Sequence, residues 1–121
     1  MANAPDDPLA AVMRTLQGEY LGEAPERVRE LSAALGRLRA GNSDAFDDLR
    51  RHFHRLAGSG GSYGFPSITE RSRLAEHAVI GLAAAGRPPR HEDLAMLDEH
   101  VLQVAAAFSE AQRKYDRGTD H

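Results

Sequence analysis

Cysteine and tryptophan are absent from the 121 residues, and lysine occurs once, at Lys114. Without cysteine there are no disulfides, no thiolate chemistry and no cysteine-based zinc site. A chain of this length is expected to fold as one domain, residues 1–121, burying roughly two-thirds of its unfolded surface without a covalent staple. The net charge of −3 argues against nucleic-acid binding through bulk electrostatics. With one exception the cations are arginine, a fixed forked donor rather than a mobile point charge. No apolar run reaches the length of a membrane span. The acidic opening Met1-Ala2-Asn3-Ala4-Pro5-Asp6-Asp7-Pro8 lacks the basic and apolar regions of a signal peptide. These features lead to the expectation of a cytoplasmic protein.

What is present is a helical vocabulary, with apolar residues recurring every three or four positions and no convincing alternation of period two. Asp6-Asp7-Pro8 reads as a helix start, followed by the stripe Leu9, Val12, Met13, Leu16 and Tyr20 and an end near Gly22. Pro25 and Glu26 open a second helix with the stripe Val28, Leu31, Leu35 and Leu38. Gly41-Asn42-Ser43 is expected to close it and cap a third, which turns Phe46, Leu49, Phe53 and Leu56 inward. Phe65-Pro66 breaks that helix, and Ser67 with Glu70 has the spacing of a capping box. The fourth helix is expected to run to about Ala85 along Ile68, Leu74, Ala78 and Leu82. After the loop Gly86-Arg87-Pro88-Pro89, the longest stripe runs from Leu94 through Leu97, Val101, Val104, Phe108 and Ala111 to Tyr115. The expected fold is all-α: an antiparallel up-down four-helix bundle with an additional short N-terminal helix packed across one end. Residues 1–7 and 116–121 are expected to fray.

The third helix carries a feature that core packing does not require. Gly58, Gly60, Gly61 and Gly64 fall in or just after it, and each glycine costs about 1 kcal/mol relative to alanine inside a helix. Gly60 and Gly64 share a side with Phe53 and Leu56, where they would let another helix approach. At about 100° per residue, Asp47, Arg50, Arg51, Gly58 and Gly61 lie within roughly one-sixth of a turn of His54, with Arg55 and Ser62 a little further round. The apolar stripe is centred about a third of a turn away. His54 should therefore stand towards solvent, with arginines one turn before it and bare glycine backbone one turn after. That setting suits an incoming phosphoryl group. His52 lies about 160° from His54 and outside this face. Residues two apart do not share a helix face, and the remaining histidines show no ligand spacing, so no metal site is expected.

The stretch His54-Arg55-Leu56-Ala57-Gly58-Ser59-Gly60-Gly61-Ser62-Tyr63-Gly64-Phe65, followed by Leu74 and Glu76, resembles the signature of histidine-containing phosphotransfer (HPt) domains. The resemblance extends over about residues 8–115 and implies the same bundle that the periodicity gives. It makes His54 the phosphoacceptor and Gly58 the residue that keeps it open to a partner. Ala57 departs from the family pattern, which often has lysine there to hold the phosphoryl group; Arg55 with Arg50 or Arg51 could supply that charge. Gly58, Gly61 and Ser62 become the expected docking surface.

The resemblance implies a carrier in a multistep two-component phosphorelay of the bacterial type, forming a phosphohistidine without kinase activity of its own. It would accept a phosphoryl group from a receiver-domain aspartyl phosphate and pass it to another receiver, in a response regulator or a hybrid histidine kinase. No cofactor is expected in this chain; the Mg²⁺ would sit in the receiver. The chain is expected to be a monomer, because it supplies four bundle helices by itself. The alternative is a non-catalytic helical adaptor that docks a receiver or histidine kinase without being phosphorylated. A histidine-kinase dimerisation domain fits less well, since Arg55 stands where that class usually has an acidic residue.

Overall fold

The structure, a computed structural model, describes residues 7–119. They form five helices: α1 (Pro8–Gly22), α2 (Ala24–Arg39), α3 (Ala45–Ser62), α4 (Pro66–Ala84) and α5 (His91–Thr119). There are no strands among the described residues, and the fold is an all-α helical bundle. Residues 1–6, including Asp6 of the expected helix start, and residues 120–121 lie outside the described residues. Residues 116–119, expected to fray, continue α5 to Thr119.

Helices α2 to α5 enclose the core. Leu31, Leu35 and Leu38 of α2 meet Phe46, Leu49, Phe53 and Leu56 of α3, Ile68, Ala75 and Val79 of α4, and Leu97, Val101, Val104 and Phe108 of α5. Phe53, Leu31, Ile68 and Val104 are fully buried, and α3 packs most extensively on α4. Gly41 and Gly64, at φ +102° and +89°, turn the chain after α2 and α3 in a backbone conformation that other residues rarely adopt.

The first helix differs from its expected role. A single residue, Glu23, in right-handed helical geometry separates α1 from α2, so the two form one long bent helix rather than a bundle helix and a separate short helix packed across one end. Pro25 lies in the first turn of α2, where its missing N–H leaves the ladder interrupted. Only the C-terminal end of α1 enters the core, through Tyr20 and Leu21. Leu9, Val12, Met13 and Leu16 are exposed, Leu9 by 78%. Their spacing is that of a buried stripe, but the helix overhangs the bundle and offers them no facing layer. It is anchored by polar contacts instead. Arg14 donates to the Tyr115 carbonyl at 2.8 Å and lies over the Tyr115 ring. Gln17 donates to the Tyr63 carbonyl at 2.8 Å, and Tyr20 stacks on Tyr63 with ring centroids 4.5 Å apart.

The helix starts also differ in part. Asp7 caps α1 as anticipated, accepting from the Leu9 N–H at 3.0 Å. The N-cap of α3 is Asp44 rather than a residue of the Gly41–Ser43 turn, and its side chain makes no capping bond. The N-cap of α4 is Phe65, which places Ser67 inside the first turn, so the Ser67–Glu70 capping box does not form. The buried face of α4 runs through Ile68, Ser72, Ala75 and Val79, leaving Leu74 59% exposed. Ser72 explains the misreading: a hydroxyl occupies a core position that an apolar-periodicity argument passes over.

Candidate functional site

The site is built where α3 and α4 lie side by side, and the glycines of α3 decide how close they come. A β-carbon on Gly60 would stand 2.8 Å from Ile68 Cβ and 2.9 Å from the Thr69 backbone nitrogen. Only a residue without a side chain permits that approach. The proximity brings the Thr69 hydroxyl into the backbone of α3, where it accepts from the Gly61 N–H at 2.7 Å and donates to the Ala57 carbonyl at 2.7 Å. These two groups are the partners of one helical i→i−4 bond, and the hydroxyl bridges them. α4 is thereby tied to α3 just after the turn that bears His54.

Gly58 is different in kind. Nothing lies within 4 Å of the β-carbon it lacks, and the residue is exposed. One helical turn past His54, the surface is bare backbone. Gly61 is also exposed, but its N–H is engaged by Thr69. Ser62 is exposed and its hydroxyl donates to the Gly58 carbonyl at 3.1 Å. Gly64 serves the turn after α3, with Gln17 packed against it.

His54 stands on the exposed face of α3, its side chain 71% accessible. The ring is nonetheless fixed. Its Nδ1 lies 2.9 Å from Oε2 of Glu76, a residue of α4 whose side chain is only 13% exposed. A carboxylate can only accept, so Nδ1 carries the proton and the lone pair resides on Nε2. Nε2 has no hydrogen-bond partner among the described residues. Two bonds thus act in series: the Thr69 bridge holds α4 against α3, and Glu76, two turns further along α4, sets the ring's tautomer and orientation.

The arginines divide into two kinds. Arg50 pairs with Asp47 at 3.0 Å, and Arg51 with Asp48 at 2.8 Å and Asp47 at 3.3 Å, so both guanidinium groups are turned towards the start of α3. Arg37 also pairs with Asp48, and its hydrogen bond, with that of Arg51, holds the Asp48 carboxyl below its ordinary range. Arg55 is exposed and has no hydrogen bond or ion pair among the described residues. The structure therefore leaves only one of the three expected phosphoryl-binding cations uncommitted. Exposed pairs such as Arg50–Asp47 contribute about 0–1 kcal/mol, so their partners can be exchanged at little cost.

His52 faces the other way. It is half-buried against α2, with Nδ1 3.8 Å from Glu30, and burial pushes its imidazole below the ordinary value. Among the described residues, no three His, Asp or Glu side chains are grouped to hold a metal ion. No helix of the described residues is long and apolar enough to cross a membrane.

Sequence reasoning placed His54, Gly58 and the arginines on one face and counted Glu76 within the family signature, but gave it no role at the site. Glu76 is 22 positions from His54 on another helix, and the register of α4 had been set by Leu74 rather than by Ser72. A search for a polar residue on the flank of α4 that abuts the glycines of α3 is the signal that finds it, once Thr69 fixes that flank.

A helical bundle that presents an imidazole to solvent, steadied from its inner side by a carboxylate, defines a scaffold for carrying a group on histidine. The sequence profile of the Hpt domain family matches residues 15–111, and the chain belongs to that family. Neither a curated protein nor a solved structure gives a match. Membership makes this a histidine phosphotransfer domain of two-component phosphorelays. Such domains are phosphoryl carriers rather than kinases in general, and their partners are receiver domains or kinases.

Proposed function

We propose that His54 is the phosphoacceptor and that it takes the phosphoryl group from a receiver-domain aspartyl phosphate and returns it to a second receiver. The observation that carries this reading is the exposed ring whose Nδ1 is held by Glu76 while Nε2 is left free. The Nε2 lone pair attacks phosphorus in line; the N–P bond forms as the acyl-phosphate P–O bond breaks, and the receiver carboxylate leaves. Phosphorylated on Nε2 and still protonated on Nδ1, the ring carries positive charge, which the Glu76 carboxylate stabilises. In the onward step a second carboxylate attacks the same phosphorus and the imidazole leaves with its lone pair on Nε2.

The chain's contribution is positioning and charge placement, which is what phosphoryl transfer chiefly requires. Arg55 is the guanidinium best placed to take over the role of the family's lysine at the Ala57 position; Arg50 and Arg51 reach the phosphoryl group only by leaving Asp47 and Asp48. Gly58 lets the partner's backbone come close, and Ser62 borders the same surface. The Mg²⁺ belongs to the receiver, whose acidic pocket meets the arginine face. The chain works as a monomer in the cytoplasm.

The test is transfer from purified receiver domains of the source organism, charged with acetyl phosphate, with intact mass and phosphorus NMR as readouts. An acid-labile gain of one phosphoryl group, on Nε2, lost in His54→Gln and kept in His52→Gln, is the expected result. Tight binding to a receiver without phosphorylation would instead identify a non-catalytic adaptor.

A further inference from the structure

A further cation stands beside His54 without a partner, and it comes from the other helix of the site. Arg73 of α4 is exposed and has no hydrogen bond or ion pair among the described residues. Glu70 and Glu76 lie three residues to either side of it, a spacing at which ion pairs form on one helix. It pairs with neither, and Glu76 is turned across to the His54 ring.

The register of the two helices fixes where this guanidinium stands. α3 and α4 run antiparallel, with Glu76 against His54 at one level and Thr69 against Ala57 and Gly61 at the next. Arg73 falls between these two contacts, about 4.5 Å along α4 from Glu76. Gly58 is displaced in the same direction along α3, about 6 Å from His54. Round the axis of α4, Arg73 lies about 60° from Glu76 and Val79 about 60° to the other side. Val79 is buried, so Arg73 is on the solvent side of the interface. The stretch of α3 at its level is the bare backbone of Gly58, where nothing lies within 4 Å of the missing β-carbon.

The charge on α3 is one-sided. Arg55 lies about 100° round the helix from His54, in the direction of His52, which packs against α2. Ala57 lies about 60° round in the opposite sense, towards α4, and is a buried methyl group. Arg50 and Arg51 are held by Asp47 and Asp48. A transferring phosphoryl group spreads its negative charge over three equatorial oxygens. Arg55 meets it from the α2 side, and on the α4 side the free guanidinium is that of Arg73. A guanidinium presents a planar fork that fits two oxygens of a phosphoryl group at once.

We propose that Arg73 is a phosphoryl-binding residue, donating from α4 across Gly58 to the equatorial oxygens of the group carried on His54, opposite Arg55. The proposal rests on the reading of His54 as the phosphoacceptor. It adds no bond-making step: the guanidinium stays protonated and binds, while the N–P bond forms and breaks at Nε2.

The experiment follows two reactions of the full chain by intact mass. One is transfer from an acetyl-phosphate-charged receiver, and the other is labelling of His54 by phosphoramidate, which needs no protein partner. Arg73→Gln is expected to slow both by about tenfold or more. Arg73→Lys keeps the charge but loses the fork, and should slow them less. Arg71→Gln makes the same change in net charge on the side of α4 that faces α5, where Arg71 bonds Gln103, and should leave both rates as in wild type. Arg73 is exposed, so its replacement leaves the core intact, and circular dichroism checks that each variant stays helical. A loss in the receiver reaction alone, with phosphoramidate labelling unchanged, would make Arg73 a contact to the receiver protein and overturn the proposal. Unchanged rates in Arg73→Gln, or an equal fall in Arg71→Gln, would overturn it as well. Phosphoramidate labelling that Arg73→Gln slows, with no transfer from any receiver, would overturn the receiver reading and leave the role of Arg73 supported. A wild type that neither donor labels would overturn both.

Discussion

His54 Nδ1 and Glu76 Oε2 are 2.9 Å apart across the α3–α4 interface, and this contact gives an exposed histidine a defined tautomer. Exposed imidazoles ordinarily rotate and exchange tautomers. Here a largely covered carboxylate removes both freedoms without covering the nitrogen opposite.

Replacing Glu76 with alanine should therefore slow phosphotransfer more than it weakens partner binding. Loss of one charge-assisted hydrogen bond corresponds to about 10- to 100-fold in rate. Glu76→Gln can still accept from Nδ1 but lacks the charge, and should fall between alanine and wild type. Single-turnover kinetics with one charged receiver separates the two effects, and equal rates in all three proteins would remove Glu76 from the mechanism.

The two neighbouring glycines of α3 should respond oppositely to alanine. Gly58→Ala meets nothing within 4 Å and gains about 1 kcal/mol of helix propensity, so the melting temperature should rise. Gly60→Ala drives a methyl group into Ile68 and the Thr69 backbone, and should destabilise by about 1–3 kcal/mol. Denaturant unfolding of the two variants checks the pair, and a shared sign would contradict the close packing of α3 on α4.

Thr69→Val keeps shape and removes the hydroxyl that bridges Gly61 and Ala57. A cost of about 1–3 kcal/mol is expected from the groups left unpaired. Amide exchange at Gly61 should quicken more than exchange at Leu56 in the core-facing part of the same helix.

Ser72 is fully buried, and its hydroxyl has no hydrogen-bond partner among the described residues. Ser72→Ala removes an unsatisfied polar atom and should stabilise the fold by about 1 kcal/mol, read as a higher urea midpoint at unchanged slope.

Mild acid should weaken the fold through its part-buried histidines. Burial pushes the imidazoles of His52 and His100 below their ordinary value of 6.5; for His52 the Glu30 carboxylate opposes the shift, and the Arg55 charge adds to it. As pH falls through 6.5 the unfolded chain binds these protons before the folded one does. Stability is thus complete above 6.5 and is lost progressively down through the depressed folded values. Asp48, held low by hydrogen bonds from Arg37 and Arg51, and Asp93, held low by the Arg90 N–H and Arg87, act in the same direction only below the ordinary 3.8. Urea midpoints measured between about pH 7.5 and pH 5 should fall, and the fall should shrink in His52→Gln/His100→Gln.

Much of the bundle was legible because its helices α2, α3 and α5 bury one continuous apolar stripe each. The stripes from Leu31 to Leu38, Phe46 to Leu56 and Leu97 to Ala111 form most of the core. In α1 and α4 the same argument misassigned faces. The Leu9–Leu16 stripe of α1 overhangs the bundle, and alanines on several sides of α4 left its register to Ser72. Periodicity reports which side of a helix is apolar, not whether another helix arrives to cover it.

The sequence by itself determined that the chain is helical, that His54 shares an exposed face with arginines and glycines, and that those residues match a phosphotransfer family. These follow from residue order within single helices, where about 100° per residue places every side chain. The tertiary structure decided which groups complete the site. Gly60 admits α4, Thr69 locks it to the α3 backbone, and Glu76 then reaches the ring of His54. Arg50 and Arg51 turn to Asp47 and Asp48 and leave Arg55 uncommitted. Contacts between helices depend on the separation and register of two backbones, and no periodicity within one helix encodes either.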